Sequence, residues 1–262
     1  MEPILDAAQR AYDTVALYHR LYPRRPVRGA EVPFISYVAY HHARGPLDCI
    51  TDLEEALGAV PAYGRKSRRL PVTPLESGEE WTARLNRLLA GLAHLDLPTD
   101  DGGLGVLLVA DDATGPFAGD LSNGLGWARH RASISYIDGR GGDLPRDIEA
   151  FDPDVVLVVT PQLAPRDLAA AGRRVIAVTH VTSEAVDDRS CDRLLVCDEL
   201  HVLGARRAGA RRYRCDATDL VIERVPESGN LAVTTTGFTC LPLIRYGFDR
   251  PFELDAGAGG AP

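Results

Sequence analysis

The segment Asp219 to Asp249, DLVIERVPESGNLAVTTTGFTCLPLIRYGFD, carries the densest set of residues able to do chemistry in this 262-residue chain. A carboxylate placed just past a strand turn, such as Asp249, can accept hydrogen bonds from both hydroxyls of a ribose. A guanidinium close by, Arg245, can neutralise phosphate oxygens. The same residues admit a structural reading, in which a buried Arg245 pairs with Asp249 or Asp219 to satisfy charge within a hairpin.

Two basic stretches are candidate anion sites. Ala62 to Arg69, AYGRKSRR, contains Lys66, the only lysine among 29 basic residues. Arg65, Lys66, Arg68 and Arg69 can hold a small anion, or form a solvated basic loop, and a GC-rich coding bias explains a lone lysine equally well. Leu200 to Tyr213, LHVLGARRAGARRY, opens a run of arginines including Arg206, Arg207 and Arg211, which repel a metal and attract phosphate or carboxylate. His180, followed by Ser183 and Glu184, sits just past a predicted strand end, where a catalytic group or a hydrogen-bonded loop residue is expected. The five cysteines, Cys49, Cys191, Cys197, Cys215 and Cys240, show no CxxC spacing and read as reduced, mostly structural thiols, with no metal site. No GxGxxG follows a strand and no nucleophile elbow is present.

These groups need a scaffold, and the hydrophobic pattern describes one. A helix is expected over Ile4 to Tyr22, ended by Pro23 and Pro26; a capping box opens Thr51 to Leu57; a further helix covers Glu79 to Leu92. From residue 104, short apolar runs alternate with helical segments: strands at Leu104 to Ala110, Ser133 to Asp138, Asp154 to Thr160, Arg173 to His180 and Asp192 to Asp198, with a helix over Pro165 to Ala171. Fully apolar strands joined by helices require a parallel sheet covered on both faces, with ligands beyond the strand C-termini. Thr218 to Val225 and Asn230 to Gly237, joined through PESGN, predict antiparallel hairpins. The fold class is therefore α/β: a mostly parallel central sheet with flanking helices and a β-rich C-terminal portion. One compact domain is expected over 1–254, with a helical part to about 100, an α/β part to about 200, a hairpin part to 254, and a flexible tail from 255.

Residues 219–249 resemble the late core of adenylate-forming enzymes, in the phenylacetate-CoA ligase and coenzyme F390 synthetase-like branch. The ordered pieces are Asp219, Glu223, Gly229, Thr234 with Thr235, Pro242-Leu243-Ile244-Arg245-Tyr246, and Asp249, the last set one residue closer to Arg245 than is usual in that family. AYDTVALYHRLY is similar to the family's opening helix and EAFDPDVVLVVTP to its strand ending in Thr-Pro. The resemblance implies the large domain of such an enzyme, with ATP or AMP as the nucleotide. It implies that Asp249, Asp219, Thr234, Thr235, Gly64 and Ser67 face the nucleotide while Arg245 and Lys66 act catalytically. Three family features have no counterpart. The phosphate loop is reduced to Gly64, Lys66 and Ser67; arginines stand where a Mg²⁺-binding acid is expected, which disfavours Mg²⁺; and the small C-terminal domain with its catalytic lysine is missing. Each such loss costs on the order of 10² in rate.

Composition narrows the partners. With 29 basic against 37 acidic residues the formal charge is −8, a poor match to nucleic acid. No apolar run reaches the ~20 residues of a membrane span and the N-terminus lacks a signal pattern, so a cytoplasmic protein is expected. The leading expectation is a ligase-like protein acting on a carboxylic acid, an acyl-adenylate or a nucleotide in a biosynthetic pathway. The alternative is a non-catalytic descendant that binds a small molecule or a partner biosynthetic enzyme, or self-associates through its edge. An unrelated α/β hydrolase or dehydrogenase is a third reading.

Overall fold

The computed structural model describes residues 2–36, 38–40, 63–64, 75–76, 78–99, 103–137, 143–165, 168, 172–182, 189–237, 242–249 and 251–256. Lys66, Ser67, the segment Thr51 to Leu57, Ser183, Glu184 and most of Pro165 to Ala171 lie outside them. In chain order the elements are α1 (Glu2–Thr14), α2 (Ala16–Leu21), β1 (Ile35–Ser36), β2 (Tyr63–Gly64), β3 (Leu75–Glu76), α3 (Gly78–His94), β4 (Gly105–Ala110) and α4 (Gly115–Trp127). There follow β5 (Arg131–Tyr136), α5 (Leu144–Phe151), β6 (Val155–Val158), β7 (Arg174–His180), β8 (Asp192–Cys197), β9 (His201–Arg206), β10 (Tyr213–Cys215), β11 (Leu220–Arg224), β12 (Leu231–Thr235), β13 (Tyr246–Gly247) and β14 (Leu254–Ala256). They fall into two compact units, the first built from both ends of the chain (1–65, 70–83, 217–262) and the second from 66–69 and 84–216.

Among the described residues the second unit holds seven strands in the order β10-β9-β8-β7-β6-β4-β5. Strands β5, β4, β6, β7 and β8 run parallel, whereas β9 and β10 are antiparallel additions. The apolar runs explain this: every residue of β4 and β6 is buried, as strands covered on both faces require. On one face, Leu88, Leu92 and Leu95 in and just past α3, with Ala118, Leu121 and Leu125 of α4, pack on Val106, Leu108, Leu157, Ile176 and Leu194. On the other, Ile148 of α5, Leu163 and Leu168 cover Val109, Val156, Val158 and Val175. The parallel sheet and its two helical layers agree with the expected α/β class.

Two expectations change. The helix expected over Ile4 to Tyr22 breaks at Val15, whose backbone is extended (φ −121°, ψ 114°). Thr14 and Val15 are adjacent β-branched residues of low helix propensity. The apolar pattern does not mark strand β9, because HVLGAR has a histidine at one end, an arginine at the other and a central Gly; in the structure all six of its residues are buried.

In the first unit the sheet order is β1-β13-β12-β11. The predicted hairpin is present: β11 and β12 pair antiparallel from Leu220↔Thr235 to Arg224↔Leu231, turning through Gly229 at φ +69°. Within the described residues 242–249 the strand is β13, antiparallel to β12 and parallel to β1. Tyr18 of α2 ties this region together: its buried hydroxyl donates to the Pro242 carbonyl (2.7 Å) and accepts from the Ile244 N–H (3.0 Å). No described helix is long and apolar enough to cross a membrane.

Candidate functional site

Arg245 is buried and held at φ +45°, a conformation a non-glycine residue keeps only where its surroundings over-determine it. Its Nε and Nη2 donate to the two oxygens of Glu223, each at 3.0 Å, so the pair is bidentate. Nη1 donates to the carbonyls of Gly29 (3.1 Å) and Val32 (2.6 Å), and the guanidinium stacks 4.7 Å from the Phe34 ring centroid. Its counter-ion is thus Glu223, neither Asp249 nor Asp219. Thr234 and Thr235 are buried with their hydroxyls turned to the same segment, accepting from the N–H groups of Arg245 (2.9 Å) and Leu243 (3.0 Å). Asp219 is half-buried and its carbonyl accepts from the Thr236 N–H at 3.1 Å. Asp249, two residues past β13, is exposed. Arg245, with four of its five guanidinium N–H donors committed to protein oxygens, does not fit as a phosphate clamp. Gly64 pairs with Leu75 in the β2–β3 ladder.

The arginine run does not converge. Arg206 is buried with its guanidinium 4.9 Å from the Tyr213 ring centroid. Arg207 is paired with Asp96 and donates to the His94 carbonyl at 3.1 Å, and Arg211 is exposed.

The polar groups that do gather lie along the C-terminal edge of the parallel sheet in the second unit. The chain leaves β4 through α4 to β5 on one side and returns through α5 to β6 on the other, so β4 and β6 flank a topological switch point, the usual crevice for ligands in such sheets. Asp111, directly after β4, is buried there. Its Oδ1 accepts from the Thr114 N–H (2.7 Å) and hydroxyl (2.9 Å), and its Oδ2 from the Thr160 hydroxyl (2.7 Å) beyond β6. Burial alone raises the Asp111 carboxyl; the hydrogen bonds from Thr160, Thr114 and the Ala113 N–H outweigh it and hold the group below the usual carboxylate value.

Further along the same edge, His180 ends β7 and Cys197 ends β8. Nδ1 of His180 accepts from the Thr182 N–H at 3.2 Å and lies 2.8 Å from the Thr182 hydroxyl, while Nε2 faces Asp198 Oδ1 at 3.5 Å. The β8–β9 turn is pinned: Arg87 of α3 donates through Nε (3.2 Å) and Nη2 (3.0 Å) to the Leu200 carbonyl, and the Leu200 N–H reaches Cys197 Sγ at 3.3 Å. His201 closes the turn at φ +67°, buried against Phe117 of α4 with ring centroids 4.7 Å apart. Among the described residues no group of three or more His, Cys, Asp or Glu is placed to hold a metal. Sequence reasoning singled out His180 but not Asp111 or Thr160. The available signal was position alone, a polar residue directly after an apolar strand.

No family model and no curated protein matches the chain. Among solved structures it is similar to 2-hydroxyisobutyryl-CoA ligase in an open conformation, in complex with 2-HIB-AMP and CoA, at TM-score 0.61 and 15% identity. The match covers 94% of this chain and 63% of that one. The same ligase in its thioesterification state, again with 2-HIB-AMP and CoA, matches at TM-score 0.56 and 14% identity over 94% of this chain and 62% of that one. The chain shares its α/β fold with this ligase and spans less than two thirds of the ligase's length.

Proposed function

We propose that this protein binds and processes a carboxylic acid in its activated, adenylate-linked form, with AMP or an acyl-adenylate rather than free ATP as the nucleotide it recognises. The observation that carries this reading is the likeness over 94% of the chain to a ligase holding an acyl-adenylate and CoA. Asp249, exposed after β13, is the carboxylate assigned to the ribose hydroxyls.

The commitment of Arg245 to Glu223 argues against self-sufficient activation with ATP, because a guanidinium with four of its five N–H donors already given to protein oxygens has little left for a phosphate that develops charge in the transition state. The same observation favours a second reading, a non-catalytic binder working beside an enzyme that supplies the activated acid. Pyrophosphate release and thermal shift with ATP, AMP, CoA and aryl acids, each with and without Mg²⁺, separate these. Stabilisation by AMP without pyrophosphate release supports the proposal; ATP- and Mg²⁺-dependent release of pyrophosphate replaces it with full adenylation. No nucleotide shift, together with co-purification of a partner enzyme, supports the second reading.

A further inference from the structure

The geometry points to a proton relay, Thr182–His180–Asp198, that serves attack of a protic nucleophile on an activated acyl group at the C-terminal edge of the second unit's sheet. The inference rests on the acyl-handling reading above and adds to it a site that performs a step.

Three features support it. First, the hydrogen bonding assigns the ring: because Nδ1 accepts from the Thr182 N–H (3.2 Å), the neutral imidazole carries its proton on Nε2, which faces Asp198 Oδ1 at 3.5 Å. The Nδ1 lone pair is also 2.8 Å from the Thr182 hydroxyl. A hydroxyl, an imidazole and a carboxylate in that order form a base–orienter arrangement able to withdraw a proton and stabilise the resulting imidazolium. Second, the pieces come from the ends of two adjacent parallel strands, β7 and β8, on the edge where such sheets place ligands. The His180 and Asp198 side chains are only 17% and 11% exposed, while Thr182 is half-buried and offers the approach from solvent. Third, Asp198 sits in a turn fixed by Arg87 and closed by His201 in left-handed backbone, rigidity that a loop with no task does not need.

The step balances as follows. The nucleophile, water in the test below, attacks the acyl carbonyl carbon and forms the new C–O bond. Its proton passes to Thr182 Oγ1 as the Thr182 hydroxyl proton passes to His180 Nδ1, and the Asp198 carboxylate, 3.5 Å from Nε2, stabilises the imidazolium by its charge. The bond from the acyl carbon to the leaving group then breaks, the leaving group departs with the electron pair, and His180 releases its proton to solvent. Thr182 is the group that meets the nucleophile; His180 and Asp198 act through it.

The probe is p-nitrophenyl acetate hydrolysis by the full chain. Saturable hydrolysis is expected in the wild type. His180→Ala and Thr182→Val are expected to lower kcat ~100-fold with KM little changed, Asp198→Asn ~10-fold, and Thr182→Ser to keep most of the rate. Added imidazole should restore His180→Ala, a rescue that a merely structural histidine would not show. Absence of saturable hydrolysis in the wild type overturns the relay, as does a His180→Ala rate equal to wild type, or a rate lost together with the fold and not restored by imidazole. A parallel thermal shift with an acyl-sulfamoyl-adenosine judges the acyl-handling reading by itself. Binding without hydrolysis leaves that reading standing and removes the relay; hydrolysis without binding does the reverse.

Discussion

Arg245 and Glu223 form a two-point ion pair across the first unit's sheet, Nε and Nη2 each 3.0 Å from a different carboxylate oxygen. Removing one partner leaves the other charge buried and uncompensated, which costs about 3–5 kcal/mol, whereas replacing both by apolar residues is far milder. Glu223→Gln is therefore expected to lower unfolding stability by about 3 kcal/mol, since the Glu223 side chain keeps some solvent contact. Glu223→Leu combined with Arg245→Met should be closer to wild type than either single change. Urea unfolding of the four variants decides; a Glu223→Gln variant as stable as wild type would mean the pair does not hold this unit together.

Asp111 links stability to acid. Its folded carboxyl lies below the unfolded value of about 3.9, so its hydrogen bonds contribute fully above that pH and are lost as pH falls through the lowered folded value. Asp111→Asn and Thr160→Val should each destabilise at pH 6, and the gap between wild type and Asp111→Asn should narrow below about pH 4. A gap that stays constant from pH 6 to pH 2.5 would assign the loss to packing alone.

His130 adds a dependence of the same sign at higher pH. It is buried between α4 and β5, and burial pushes its imidazole below the ordinary histidine value. As pH falls below about 6.5 the unfolded chain takes a proton that the folded chain refuses, so stability declines. His130→Phe is expected to flatten the stability profile between pH 7.5 and 5.5; a wild type equally stable across that window, measured by thermal unfolding, would rule this out.

Gly204 in β9 allows a close approach of chains. A Cβ there would lie 2.8 Å from the Arg214 carbonyl oxygen, a backbone atom that cannot swing aside. Gly204→Ala should destabilise by about 1–3 kcal/mol through displacement of β10. Amide exchange in β9 and β10 faster than in β4 and β6 would locate the damage, and uniform protection matching wild type would refute it.

The central sheet was legible because burial on both faces leaves an uninterrupted apolar signature, as in VVLV of β6 and GVLLVA of β4. The β11–β12 hairpin was legible through its Ser-Gly-Asn turn. β9 was not, since its polar ends, His201 and Arg206, are buried against the Phe117 and Tyr213 rings in contacts that no periodicity encodes. Arg245 was readable as a buried cation with Asp249 or Asp219 as its candidate partner, whereas antiparallel pairing of β11 with β12 and of β12 with β13 brings Glu223 across the sheet to it. The chemistry of His180 was visible as a position past a strand end, while Asp198 joined it only through the parallel pairing of β7 with β8.

Calorimetric titration with a non-hydrolysable acyl-sulfamoyl-adenosine series bears most directly on the proposal that this fold recognises an adenylate-linked acid. The account predicts saturable binding by at least one aryl or short-chain member, weakened at least tenfold by Asp249→Ala and little affected by Mg²⁺. Heat indistinguishable from dilution across the series, or binding that Asp249→Ala leaves unchanged and Mg²⁺ is required for, would contradict it.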